Sequence, residues 1–137
     1  MKNEFIIILK NNLTEIDVLV DGINYFAEKN RIENEVKFDL SIALDEIITN
    51  IISYAFDDDS KHNIIVHFTL NNDSLSVRVE DDGKPFNPLD YPTPDTTKPL
   101  EEREIGGLGV FFVMELMDSV KYKRKEKKNI LTITKSI

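Results

Sequence analysis

Between Glu33 and Phe56 the chain carries Val36, Leu40, Ala43, Leu44, Ile47, Ile48, Ile51, Ile52 and Ala55 at spacings of three and four. A helix with so wide an apolar stripe has to be largely buried. The acidic run Asp57-Asp58-Asp59 ends it. Strands that follow show one apolar face each: Val66, Phe68 and Leu70 alternate with polar residues over His62 to Leu70, as do Leu75, Val77 and Val79 over Ser74 to Glu80. Asn71-Asn72-Asp73 between them is a good turn composition.

The remaining elements follow the same logic. Phe5-Ile6-Ile7-Ile8-Leu9 is short and β-branched, which predicts a strand over Glu4 to Lys10. Asn11 or Asn12 caps the next element, an amphipathic helix ending near Asn30 with Leu13, Ile16, Val20, Ile23 and Ala27 at helical spacing. A short helix is expected over Gly107 to Asp118, with Val110, Phe111, Val113, Met114 and Met117 on it, and Phe111, Phe112 and Met114 are read as core. Val120 to Glu126 and Asn129 to Ile137 make a closing hairpin, whose basic run Lys121 to Lys128 is read as its solvated turn or as a docking patch for an acidic partner. The class is α+β, a two-layer sandwich, and residues 1–137 are read as one domain.

Composition narrows the function classes. A chain of 137 residues is large enough to bury roughly two-thirds of its unfolded surface. It holds no cysteine, which excludes disulfides and thiolate metal sites. Its formal net charge of −8 argues against binding nucleic acid, which depends on neutralising phosphates with Lys and Arg. The N-terminus lacks the features of a signal peptide and no stretch is apolar enough to span a membrane, so a cytoplasmic protein is expected.

The chemistry concentrates in Val79 to Met117. All five prolines and four of the five glycines fall there. A run of about twenty residues without apolar period inside a small domain is usually a lid or binding loop when it is not disorder. This one, over about residues 84–106, leaves Asp81-Asp82-Gly83 at a strand end and arrives at Gly106-Gly107-Leu108-Gly109 at a helix start. Glycines there let backbone N–H groups approach a phosphate, which the helix dipole also favours. On the long helix, Glu46 and Asn50 stand one turn apart on nearly one face. A carboxylate and an amide at that spacing suit proton transfer and ligation of a hard cation through oxygen. Taken singly, each has a plain structural reading: a polar helix edge, an everyday Asp-Gly turn, a bare helix entry.

Their order is more telling. A helical Glu-x-x-x-Asn, Asp-x-Gly-x-Pro-Phe at a strand end, a Pro-rich lid and Gly-Gly-Leu-Gly resemble the Bergerat-fold (GHKL) ATP-binding module. ALDEIITNIISYAF, VEDDGKPFNP and GGLGVFFVMELMDSVKY bring it closest to the stand-alone anti-sigma-factor serine kinases of bacteria. A Walker-type site is absent. The resemblance implies a mixed, mostly antiparallel sheet covered on one face by helices. It also implies ATP and Mg²⁺ as cofactors, a serine on an anti-anti-sigma-type protein as acceptor, a sigma factor as the competing partner, and a homodimer supported by the edge of the first strand.

Site roles follow from the same resemblance. Glu46 matches the general base and Asn50 the Mg²⁺ ligand. Asp81 matches the acceptor for the adenine amino group, with Gly83 letting the base lie close to the backbone. Gly107, Leu108 and Gly109 match the segment that offers N–H groups to the phosphates. Arg103 either reaches a phosphate or only screens Glu101, Glu102 and Glu104. Two departures stand out. Ile130 takes the place where relatives put a threonine near the adenine, and Ile51, Ile52, Ser53 and Tyr54 follow Asn50 where relatives have smaller residues and a histidine. Two other readings remain open: a histidine-kinase catalytic module, disfavoured because His62 and His67 fall on an expected strand, and a nucleotide-sensing binding protein without phosphotransfer.

Overall fold

The structure is a computed structural model that describes residues 3–87 and 113–137. It has five strands, β1 (Asn3–Lys10), β2 (Asn63–Leu70), β3 (Ser74–Asp81), β4 (Ser119–Lys125) and β5 (Lys128–Ser136), with helices α1 (Ile16–Lys29) and α2 (Asn34–Tyr54) between β1 and β2. The helix expected over Gly107 to Asp118 is described only from residue 113, and residues 113–116 are helical.

The strands form one sheet in the order β1-β2-β3-β5-β4, with every pair antiparallel. Register decides which side chains share a layer. Phe5, Phe68, Val77 and Ile133 form one row across the sheet, and Ile7, Val66, Val79 and Leu131 the next. Both rows point to the side covered by α1 and α2, where they join Leu40, Leu44, Ile47, Ile48 and Ile51 of α2 in one core. Ile6 and Ile8 of the edge strand β1 point the other way and are exposed. This is the two-layer α+β sandwich that the resemblance implies, with a sheet that among the described strands is wholly antiparallel rather than mixed.

α1 is entered through the 3-10 turn Leu13–Glu15, which Asn12 caps by accepting from the Thr14 N–H at 3.0 Å. It ends with Arg31 in the left-handed region (φ 55°), and the Ile32 N–H donates back to the Ala27 carbonyl at 2.9 Å, the hydrogen-bond pattern of a helix stop usually built on glycine. Its buried face is Leu19, Ile23, Phe26 and Ala27, whereas Leu13 and Val20 are exposed. The expected stripe holds at Ile16, Ile23 and Ala27 and fails at Leu13 and Val20, with Leu19 pointing inward in place of Val20. Phe26 causes it: its ring lies 5.0 Å from Phe68 and 5.9 Å from Phe5, and that aromatic cluster fixes the roll of the helix.

The β4–β5 hairpin turns through Glu126 and Lys127, both at positive φ (53° and 65°). A two-residue loop with that conformation matches the twist of the strands, though it is more often made of Asn and Gly. Met114, expected in the core, is 52% exposed, and Val113 and Met117 are the buried residues of that segment.

Candidate functional site

The site lies where the sheet ends in polar side chains. β3 finishes on Asp81, which pairs with Asn129 of β5, and Asn129 pairs with Arg124 of β4. One layer further in, the row Val79, Leu131 and Tyr122 is apolar apart from the Tyr122 hydroxyl. Ile47 and Ile51 of α2 face these rows, and Phe86 completes a narrow cavity between helix and sheet with Asp81 and Asn129 at its polar end. The cavity's volume is about 10 Å³, room for no more than a water molecule and far below the roughly 300–1,000 Å³ of most small-molecule pockets. A ligand of nucleotide size has to widen it.

Asp81 is 3% exposed and its Oδ1 accepts twice, from the Gly83 N–H and from Asn129 Nδ2, each at 2.9 Å. Burial pushes its carboxyl above the usual value, and those two hydrogen bonds oppose the shift. Asn129 is equally buried and is the hub of the end row. Its Nδ2 also donates to the Lys84 carbonyl at 2.8 Å, while its Oδ1 accepts from the Phe86 N–H at 3.1 Å, from the Tyr122 hydroxyl at 2.6 Å and from Arg124 at 3.1 Å. Arg124 reaches further, to the Gly83 carbonyl at 2.7 Å. Ile130 faces away, paired with Glu80, so the β5 side chain beside Asp81 is Asn129.

Gly83 is required here by its neighbour. A Cβ built on it would sit 2.4 Å from the Ala55 carbonyl oxygen at the end of α2, and the Lys84 N–H donates to that same oxygen at 2.8 Å. The turn after β3 is thus pressed onto the helix terminus. Glu46 and Asn50 stand on the same helix, each one residue before a cavity-lining isoleucine. Asn50 is buried, Glu46 is half-buried, and Asn50 Nδ2 donates to Glu46 Oε1 at 2.8 Å. An amide that gives its N–H to the carboxylate leaves its oxygen as an acceptor or cation ligand.

The structure thus brings Glu46 to Asn50 and Asp81 to Gly83, and places α2 against the cavity that Asp81 ends. Arg103, Gly107, Leu108 and Gly109 lie outside the described residues, as does most of the stretch read as a lid. Asn129, Tyr122 and Arg124 escaped the sequence reading because they sit in a lysine-rich hairpin that looks like solvated turn. Only a β-register prediction pairing Asp81 with Asn129 would have singled them out. His67 packs near Arg78 and Glu4, and His62 bridges Asp58 and Asp82.

Residues 9–135 match the histidine kinase-like ATPase domain. The chain belongs to that family. Among curated family relatives, the serine/threonine-protein kinase BtrW of Bordetella bronchiseptica is 27% identical over 114 residues, covering 82% of this chain and 79% of its own. The serine-protein kinase RsbW of Listeria monocytogenes is 38% identical over 87 residues, covering 61% of this chain and 55% of its own, so this match spans only about half of that relative. Among solved structures, the histidine kinase domain of the blue-light activated histidine kinase EL346 from Erythrobacter litoralis superposes with a TM-score of 0.55 at 16% identity, over 89% of this chain and 59% of that one. The family's ATP-binding (Bergerat, GHKL-type) fold accounts for the antiparallel sheet with helices on one face.

Proposed function

We propose that the chain is an ATP-dependent serine kinase that phosphorylates an anti-anti-sigma-type protein and, in its other role, holds a sigma factor inactive. The observation that carries this reading is the 2.8 Å Asn50–Glu46 hydrogen bond on α2, the helix whose Ile47 and Ile51 wall the cavity ending in Asp81. One rigid element then presents a base and an amide beside a base-binding slot. The kinase names of relatives in Bordetella and Listeria support the reaction class.

In this reading Asp81 accepts from the adenine amino group, its oxygen orientation set by Asn129 and Gly83, while Val79, Leu131, Ile47 and Ile51 sandwich the purine. Glu46 takes the proton from the incoming serine hydroxyl as that oxygen attacks the γ-phosphorus and ADP leaves. General-base help of this kind is worth on the order of a hundredfold to ten-thousandfold. Among the described residues no cluster of three or more His, Asp or Glu forms a metal cage. A lone amide oxygen on Asn50 fits Mg²⁺, which is commonly held by few protein ligands together with substrate phosphates. When bound, the ion would offset charge on those phosphates. Arg103, Gly107, Leu108 and Gly109 are assigned to the phosphates, and β1, the outermost of the described strands, to a second copy of the chain.

The test is transfer of label from γ-labelled ATP to a serine of a candidate anti-anti-sigma protein, with calorimetric titration of Mg·ATP and Mg·ADP beside it. Nucleotide binding with no transfer to any candidate would favour a sensing module. Absence of nucleotide binding would sink the reading.

A further inference from the structure

On the outer side of the turn after β3, His62 stands between two carboxylates. Its Nδ1 lies 2.9 Å from Asp82 Oδ1 and its Nε2 2.8 Å from Asp58 Oδ1. A carboxylate only accepts, so both bonds exist together only when both ring nitrogens carry hydrogen, as in the imidazolium. A neutral ring satisfies one partner and turns a lone pair on the other. Phe56 stacks on the ring, centroids 4.5 Å apart and planes 20° from parallel, and Ser60 Oγ lies 3.0 Å from Nε2. The His62 backbone is pinned too: its N–H donates to Asn11 Oδ1 at 3.0 Å and its carbonyl accepts from the Asn11 N–H at 3.2 Å.

Asp82 sits between Asp81 and Gly83, so whatever fixes Asp82 fixes the turn that orients Asp81. The remaining charged groups nearby are Lys61, Glu80 and Lys128 on the concave surface shared with His62 and Asp82, Lys10 and Asp59 beside Asp58, and Asp57, which pairs with Lys84 at 2.9 Å. The ring's side-chain hydrogen-bond partners among the described residues are Asp58, Asp82 and Ser60.

We propose that His62 is a proton-controlled positioning residue: protonated, it ties Asp82 to Asp58 and holds the Asp81–Gly83 turn in the shape that takes adenine, and deprotonated, it releases the turn and weakens adenine-nucleotide binding. This rests on Asp81 being the adenine contact. The Asp58 bond, ahead of the Asp82 contacts, raises the His62 pKa above its usual 6.5, and Ser60 followed by His62 lowers Asp58 to about 2. The clamp is therefore fully present below 6.5 and is lost as pH rises through the raised value.

The experiment uses the full chain and two readouts. Affinity for ADP is measured by calorimetry between about pH 6 and pH 9 for the native protein and for His62→Gln, in matched buffers so that the ligand's own titration cancels in the ratio. We expect the native advantage over His62→Gln to shrink by about fivefold across that range, the size of an ordinary coupling between sites. Proton NMR of the nucleotide-free chain follows the His62 ring, assigned by its loss in His62→Gln, and is expected to titrate above 6.5 and to fall in Asp82→Asn. If His62→Gln does not fold, Asp82→Asn, which leaves the ring with one carboxylate, takes its place in the affinity ratio. A ratio constant with pH, or a ring titrating at or below 6.5, overturns the clamp while leaving the nucleotide site standing. A native chain that ignores ADP at every pH overturns the site itself and the coupling with it.

Discussion

Asn129 Nδ2 lies 2.9 Å from Asp81 Oδ1, joining two buried polar side chains that are 48 residues apart in the chain. Because the same amide also bonds the Lys84 carbonyl and the Phe86 N–H, replacing it removes bonds to the buried Asp81 and to two part-buried backbone groups at once. Asn129→Leu, of similar volume, is expected to destabilise the fold by on the order of 1–3 kcal/mol, read as a shift in the urea midpoint. It should weaken ADP binding in the same protein. Unchanged stability would mean that water replaces the amide.

Glu46 and Asp81 are expected to separate by kinetics. Glu46→Gln keeps the hydrogen-bonding shape of the pair with Asn50 and should keep ADP affinity, while phosphoryl transfer falls about a hundredfold or more. Asp81→Asn should lose ADP affinity instead, because an amide presents its donor where the purine amino group needs an acceptor. Single-turnover assays beside calorimetry distinguish the two. Equal effects of both variants on binding and on transfer would refute the division of roles.

The acid side of the binding profile belongs to Asp81. Burial raises its folded pKa above 3.8, so its contribution to stability is largest below 3.8 and is lost as pH rises through the raised value. Binding runs the other way, since the adenine amino group needs the ionised carboxylate. ADP affinity should fall as pH drops through the raised value, measured between about pH 4 and pH 7, and this acid limb should vanish in Asp81→Asn.

Gly83→Ala places a methyl group 2.4 Å from the Ala55 carbonyl oxygen, and neither backbone gives way without moving the turn off the end of α2. Lowered thermal stability and weakened ADP binding are expected together. A variant with native melting temperature and native affinity would show that the turn relaxes freely.

Leu19 and Val20 test the roll of α1. Leu19 is 1% exposed and Val20 44%. Leu19→Ala should cost about 2–5 kcal/mol as a core cavity, whereas Val20→Ala should stay within roughly 0.5 kcal/mol of native, both by denaturant titration.

Much of the site was legible because its parts are local. Glu46 and Asn50 share a face by helical geometry alone, and Asp81-Asp82-Gly83 reads as a turn because Asp accepts from the N–H two residues on, as Asp81 does from Gly83. The α1 stripe was right at Ile16, Ile23 and Ala27 but wrong at Val20, because Val18, Leu19 and Val20 are consecutive and apolar, so local pattern does not say which one points inward. Met114 was misread for a similar reason, sitting beside Val113 in an apolar stretch whose inward side is set by the sheet.

The sequence by itself determined the succession of helices and strands, since apolar period and turn residues act over a few positions. It also determined the acid and amide on α2, which one turn of helix holds together wherever that helix packs. Only the tertiary structure decided that Asn129, held by Arg124, closes the end of the Asp81 cavity and that His62 joins Asp58 to Asp82. Those neighbours are made by strand register and by the seat of the loop after α2 against β1, long-range choices that no short window of the chain encodes.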